Sequence, residues 1–421
     1  MASAAIAVAA IVGASMLLSS PTSGHETAPS PSSETAASGA RCDDVATREE
    51  CRDIVVNGRN LRYTLTKAPT PTTRTVIADF GGPGLSVLGD GYLLTFLAQH
   101  PDVASKYNFV AVEEPWFTRD PSPDCRTRLT AFYRSSRTAA PDTQANAQAL
   151  RTSCGLTAAG NYQWGFDRQT YRDLLTAIQA QNGLHYTGFI GQSFGSVRLG
   201  YLAGTDLITK LDWIALSHPF PVGVTGEELV RSRAKATAAL VDQLTAGPAT
   251  LPAAETPSRA LPVTRFDELS AAIELGYLPS VEQDSAAAGI AGSQRPALVA
   301  RLSDQLWQRY GDDAISPAYL AQLDELCTAV PVSSSAGVTE SLDGVLNAAL
   351  LPCRGIAARP ADRLHLGSVS TCIAVSTADT VAPVDLAERT LRGISDQLRW
   401  IKIDDRSHRS GDGLAQCLVG R

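Results

Sequence analysis

The stretch Gly191-Gln192-Ser193-Phe194-Gly195 holds the residue types that acyl transfer needs. It follows the apolar run Thr187-Gly188-Phe189-Ile190 and precedes the helix-compatible run Ser196 to Ala203. Strand, G-x-S-x-G and helix in that order describe a nucleophile elbow. A serine oxygen attacks a carbonyl only if it stands clear of the chain on a very tight turn. Such a turn holds the serine in a strained backbone conformation and leaves no room for side chains at Gly191 and Gly195. It also leaves the Phe194 N–H at a helix start, unpaired and able to hold an oxyanion. Three fixed residues in five also occur in ordinary strand-to-helix turns, so the reading depends on what the rest of the chain supplies.

An activated serine needs a base, and the base needs an orienting acid. This elbow resembles that of the alpha/beta-hydrolases, and the resemblance implies the chain order serine, acid, histidine. The histidines are His25, His100, His185, His218, His365 and His408. Of these, His408 sits in the polar loop after the apolar run Leu398 to Ile403, where a base on a strand-end loop belongs. A loop histidine is more often merely solvated; the position after the last strand favours the base. The acid should close the preceding strand, and Asp379 does so in Ser376-Thr377-Ala378-Asp379. A surface-turn aspartate is the alternative. Asp404 and Asp405 compete with it but lie too close in sequence to His408 to reach across its ring easily. His218 and His365 are the reserve bases, and neither has Asp379 upstream of it.

A second glycine cluster, Gly81-Gly82-Pro83-Gly84, follows the strand-like Thr75 to Phe80. Backbone N–H groups of such a loop can hold an anion; a plain tight turn is the other reading. No Gly-Lys-Ser/Thr follows, so it is not a phosphate-binding loop. As the second oxyanion donor beside Phe194 we favour Gly82, because Pro83 has no N–H.

These residues need a frame. Asp53 to Val56 and Leu61 to Thr66, around Asn57-Gly58, read as a hairpin. Further strands are predicted at Asn108 to Val112, Leu211 to Leu216, Thr371 to Ser376 and Leu398 to Ile403. The stretch holding Cys125 and Cys154 reads as a long polar loop. Thr170 to Gln181 reads as a helix, with Thr170 and Asp173 resembling a capping box and Asn182-Gly183 as its stop. From about Val222 to Leu351 strand-like runs vanish. Gly226 to Leu244, Arg265 to Tyr277, Arg295 to Tyr310 and Ser316 to Val330 have helical spacing. Strands alternating with helices imply an α/β fold with a mostly parallel central sheet. The predicted organisation is a core over 42–221 and 355–421, with a helical cap inserted over 222–354.

The chain has 421 residues and a net charge of −7. The length suffices for one large domain, and the absence of a basic patch argues against nucleic acid as a partner. Ala4 to Leu18 has the length of a secretory apolar region, although no Lys or Arg precedes it, and residues 1–20 read as a signal peptide or N-terminal anchor. No cysteine follows it closely, so no lipoprotein anchor is indicated. Residues 21–41 read as a Pro-, Ser- and Thr-rich disordered linker. No later run is long enough for an ordinary membrane-spanning helix. An even count of eight cysteines behind an export signal argues for disulfides in an oxidising compartment, hence a secreted protein, or one tethered by an uncleaved N-terminus. Neighbour pairing would join Cys42 with Cys51, Cys125 with Cys154 and Cys327 with Cys353, leaving Cys372 for Cys417. No Cys/His cluster points to zinc, and no metal or organic cofactor is implied.

The chain resembles the prolyl-aminopeptidase family of serine peptidases, most of all its secreted tripeptidyl aminopeptidases. The likeness is carried by Gly81-Gly82-Pro83-Gly84-Leu85-Ser86 after a strand, by Gly191 to Ser196, by Asp379 with Pro383 four residues on, and by His408. It runs from about residue 50 to the C-terminus. It implies an alpha/beta-hydrolase fold and a peptide substrate with a free N-terminus, its ammonium group held by a carboxylate of the cap; Glu274 and Glu282 are the candidates. Phe80 stands where the family usually has His, and Glu113-Glu114-Pro115-Trp116-Phe117 replaces its Asp-x-Arg-Gly-x-Gly-x-Ser loop. A small acyl ester is the other substrate class, and a non-catalytic binding protein on a hydrolase scaffold the other functional class.

Overall fold

The structure is a computed structural model that describes residues 42–44, 47–156, 163–245, 263–290, 295–311, 314–333, 337–361, 363–409 and 411–421. The proposed signal or anchor and the linker that follows it lie outside the described residues. Among the described residues there are ten strands: β1 (Arg52–Val56), β2 (Arg59–Thr66), β3 (Arg74–Asp79), β4 (Asn108–Val112), β5 (His185–Gln192), β6 (Trp213–Ser217), β7 (Arg309–Gly311), β8 (Ala314–Ile315), β9 (Ser370–Ser376) and β10 (Leu398–Ile403). Eight of them form one sheet in the order β1-β2-β4-β3-β5-β6-β9-β10. β2 runs antiparallel to both of its neighbours, and all later pairs are parallel. This is the strand order of an alpha/beta-hydrolase fold, with helices on both faces.

The sheet is sandwiched because its central strands are apolar on both sides. Successive residues of one strand point to opposite faces. Ile77, Val110, Phe189, Ile214, Leu216 and Ile373 join the larger core with Tyr171, Leu174 and Ile178 of helix Arg168–Asn182. Val76, Phe109, Ile190, Ala215 and Ala374 join the opposite core with Leu93, Phe96 and Leu414. β10 ends the sheet, and its residues are half-buried except for the exposed Arg399 and Lys402. Charges on an edge discourage pairing with another chain.

Several expectations need correction. The stretch with Cys125 and Cys154 is not a long loop but two helices, Pro123–Arg137 and Thr143–Ser153. Their polar composition hides a narrow buried stripe of Leu129, Phe132, Tyr133, Ala147 and Leu150. The cap of helix Arg168–Asn182 is Asp167, whose carboxylate accepts from Thr170 N at 2.8 Å and Thr170 Oγ1 at 2.7 Å. Asp173 is turned outward and accepts from Asn57 Nδ2 instead. The helix starting at Arg295 stops at Leu306, and the chain turns into the β7–β8 ribbon.

Between β6 and β9 the chain forms helices Gly226–Thr245, Arg265–Leu275, Ser280–Ile290, Arg295–Leu306, Pro317–Ala329 and Leu342–Leu350. They enclose a small core of their own that includes Leu240, Ala271, Leu275, Ile290 and Leu302. Asp267 caps helix Arg265–Leu275 with Thr264 and also receives Arg137 at 2.6 Å and Ser303 at 2.8 Å, tying three helices together. The cysteines pair as Cys42–Cys51, Cys125–Cys154, Cys327–Cys353 and Cys372–Cys417, the neighbour pairing expected from the order of the chain. The last bond ties β9, next to the edge strand β10, to helix Asp412–Leu418.

Candidate active site

β3, β5, β9 and β10 all end at one edge of the sheet, and the loops that leave them meet there. At the end of β5, Ser193 has φ +50°, a left-handed backbone that costs an L-residue about 1 kcal/mol or more. The turn is held by Ser193 N donating to Ser217 O at 3.0 Å and by Phe220 N and Ser196 Oγ donating to Ser193 O at 2.9 Å each. The flanking glycines are needed for packing. A Cβ on Gly195 would lie 2.7 Å from Asp79 O, and one on Gly191 2.8 Å from both Leu216 and Phe189. The obstruction therefore comes from strands β3, β5 and β6 around the turn and not from the serine itself.

The loops after β9 and β10 bring the other two side chains in. His408 Nε2 lies 2.8 Å from Ser193 Oγ, and His408 Nδ1 lies 2.8 Å from Asp379 Oδ2. The remaining Asp379 oxygen accepts from Val381 N at 2.8 Å and Ala382 N at 2.9 Å. Burial by itself would raise the Asp379 carboxyl. The adjoining His408, first by its charge and then by its hydrogen bond, outweighs that and holds the carboxyl below its ordinary range. An ionised Asp379 requires the proton on Nδ1, leaving Nε2 free to accept from Ser193.

The loop after β3 lies against the elbow, and a Cβ on Gly81 would be 2.9 Å from Phe194 N. Within the loop, Gly81 N donates to Asp79 Oδ1 at 2.9 Å and Gly84 N donates to Glu114 Oε2 at 2.6 Å. The N–H groups of Gly82 and Phe194 have no acceptor among the described residues.

The helical segment also reaches the site. Gly276 O accepts from His408 N at 3.0 Å, and the Tyr277 ring stands edge-on to the His408 ring at 5.7 Å. One turn back, Glu274 keeps some contact with solvent, and its carboxylate has no hydrogen bond or ion pair among the described residues. Its deep position pushes it up to about 8 against the pull of Arg409 and Arg233. Glu282, the other candidate, is exposed on helix Ser280–Ile290, and no contact brings it to His408. Behind Tyr277 lies a cavity lined mostly by apolar residues, Leu229, Ile273, Trp307 and Val345 among them, with Arg233 in its wall.

Of the reserve bases, His218 is close but engaged. Its ring is 5.7 Å from that of His408. Ser217 Oγ lies 2.8 Å from Nδ1, and Nε2 lies 2.8 Å from Ser376 Oγ, which itself donates to Ser407 O. Burial, then the charge of His408, push it down to about 4, so it stays neutral as a strut between β6, β9 and the His408 loop. His365 has no contact with the cluster. Asp405 accepts from the Ser280 hydroxyl and from Arg406 N and Ser407 N, which shapes the loop.

Sequence reasoning overlooked Arg198, buried one turn beyond the elbow. It donates to Glu325 at 2.7 and 3.0 Å, to Glu114 Oε1 at 2.6 Å, to Asp79 Oδ1 at 3.3 Å and to Gly81 O at 3.1 Å. A buried ion cluster at helix position 198 has no local pattern; its partners come from three distant segments. Its only advance sign was an arginine in an otherwise apolar run. Burial raises the Glu114 carboxyl, the adjoining Arg198 charge opposes that rise, and burial pushes Glu113, which faces only hydrogen-bond donors, up to about 7. Among the described residues no group of His, Cys, Asp and Glu could hold a metal ion, and no helix is long and apolar enough to cross a membrane.

No family model and no curated protein matches the chain. Solved structures similar to it include a hydrolase from Pseudomonas aeruginosa PA01, at 13% identity and a TM-score of 0.42 over 89% of this chain and 97% of that one. The enol-lactonase from Burkholderia xenovorans LB400 has 13% identity and a TM-score of 0.39 over 87% of this chain and 96% of that one. A thermophilic esterase from Thermogutta terrifontis has 12% identity and a TM-score of 0.39 over 88% of this chain and 95% of that one.

Proposed function

We propose that the protein is a secreted serine hydrolase that cleaves acyl bonds through a covalent intermediate, with short peptides bearing a free N-terminus as its substrates. The observation that carries the reading is the unbroken hydrogen-bonded series Ser193, His408, Asp379 beside two unengaged backbone N–H groups. Ser193 Oγ attacks the carbonyl carbon and His408 Nε2 takes its proton. Asp379 holds the imidazole in the accepting tautomer and offsets the positive charge that develops. The oxygen that becomes negative is held by the N–H groups of Phe194 and Gly82. His408 then returns its proton to the departing amine. Water, deprotonated by the same nitrogen, releases the acyl group from Ser193.

Glu274 supports the peptide substrate. It is a deep carboxylate without a partner, one turn from the residue that covers His408, and an α-ammonium group would complete it. The apolar cavity behind Tyr277 favours a second reading, an esterase for apolar acyl groups. Export is supported by the four disulfides and by the apolar run Ala4 to Leu18.

A fluorophosphonate probe tests the enzyme reading. Wild type should be labelled and Ser193→Ala should not; a folded wild type that stays unlabelled refutes it in favour of a binding scaffold. Peptidyl-coumarin substrates with free or blocked amino ends, set against acyl-nitrophenols, then decide between the substrate classes. Fast turnover of acyl esters with none of either peptide refutes the peptidase assignment.

A further inference from the structure

Glu113 and Glu114 stand side by side at the end of β4, almost fully buried, and both carboxylates face the loop that follows β3. Glu114 Oε2 accepts from Gly84 N at 2.6 Å and from Trp116 Nε1 at 2.9 Å, while Oε1 receives Arg198 at 2.6 Å. Glu113 accepts from Val87 N and Leu88 N at 3.0 Å each and from Ser86 Oγ at 3.1 Å. The two side chains therefore take up N–H groups of the loop and of the short helix behind it. With Gly81 N turned to Asp79, Pro83 having no N–H and Gly84 N held by Glu114, the amide of Gly82 is the one within Gly81 to Gly84 that has no acceptor among the described residues. The fit is close: a Cβ on Gly82 would sit 2.7 Å from Glu114 Oε1.

We infer that Glu114 is a positioning residue for the oxyanion loop, fixing Gly84 so that the Gly82 N–H stays directed at the reacting oxygen, with Glu113 bracing the segment behind it. The inference rests on the proposed function, since it concerns how that oxyanion site is built. Arg198 is the second anchor. It binds Glu114 through its guanidinium and the loop directly through Gly81 O, so loop, acid and elbow helix form one rigid unit. The Glu-Glu pair at residues 113 and 114 thus gives a structural meaning to a stretch that departs from the family pattern.

Two substitutions separate positioning from mere charge or bulk. Glu114→Gln keeps the length, but a single carbonyl oxygen cannot serve Gly84 and Arg198 together. Glu114→Asp keeps the charge beside Arg198 but falls short of Gly84. Both should lower kcat and the rate of fluorophosphonate labelling about tenfold or more, with KM changed less than kcat. Thermal unfolding of both variants checks that they are folded, and the Asp variant, which keeps the ion pair, carries the test if the Gln variant does not fold. Wild-type kcat and labelling in the Asp variant would mean that only charge balance matters and would overturn the inference. Equal losses in kcat and the reciprocal of KM would overturn it too. If instead wild type is not labelled, or Ser193→Ala still turns over substrate, the proposed function itself fails.

Discussion

Replacing Asp379 by Asn tests the proposed triad most directly, because the side chain keeps its shape and loses one acceptor. In the native site Oδ1 serves two backbone N–H groups, from Val381 and Ala382, and Oδ2 serves His408 Nδ1. An asparagine has one oxygen to divide between them. With the oxygen toward the backbone, its NH2 faces Nδ1, which must then be bare. The imidazole proton moves to Nε2, points at Ser193 and can no longer accept from it. With the amide reversed, His408 keeps the productive tautomer, but two buried N–H groups face an NH2. Each lost acceptor costs about 1–3 kcal/mol, so the productive arrangement lies about 2–6 kcal/mol above the other. That lowers kcat by between about 30-fold and about 10⁴-fold. Turnover per folded molecule, normalised by thermal unfolding and measured on whichever substrate the wild type prefers, gives the answer. A variant that keeps more than about a tenth of wild-type kcat would refute the assignment of Asp379 as the group that fixes the tautomer.

His408→Ala should lose several orders of magnitude in kcat while remaining folded, and near-normal activity would move the base elsewhere. His218 takes up its proton near 4 when folded and near 6.5 when unfolded, so its contribution to stability is complete above 6.5 and is lost as pH falls through that window. The loss should approach about 3 kcal/mol and be absent in His218→Gln, as melting curves between those pH values would show. Glu274→Gln should raise KM about tenfold or more for peptides with a free amino end and leave that for N-acylated substrates unchanged. Replacing Cys372 and Cys417 together by Ser opens a loop of 45 residues and should lower stability by about 4 kcal/mol in denaturant titrations.

The central strands were legible because a parallel sheet covered on both faces must be apolar without interruption, as at Asn108 to Val112. Ser193, Asp379 and His408 were legible because chain order and strand ends alone define where they must lie. The two helices at Pro123–Arg137 and Thr143–Ser153 were not, since their buried stripes are short and diluted by arginine, serine and threonine. Arg198 and its carboxylates escaped notice for a different reason. Residues 79, 114, 198 and 325 have no spacing in common, and only folding makes them neighbours. Of the two candidate carboxylates, Glu274 lies on the turn nearest Tyr277 and Glu282 on an outward face. Two helices of similar composition give no hint of which will lean over the sheet.

The hydrogen bond from His408 N to Gly276 O has a consequence for anyone wishing to redesign this protein. Helix Arg265–Leu275 ends on the loops that carry both His408 and Asp379, and a side chain at Gly276 would strike Thr380 Oγ1. The next helix grips the same loop through Ser280 with Asp405 and Asp284 with Arg406. A transplanted roof from another protein of this fold would therefore have to reproduce these fastenings as well as a new pocket, because the proposed catalytic residues and the helices above them share the same supports.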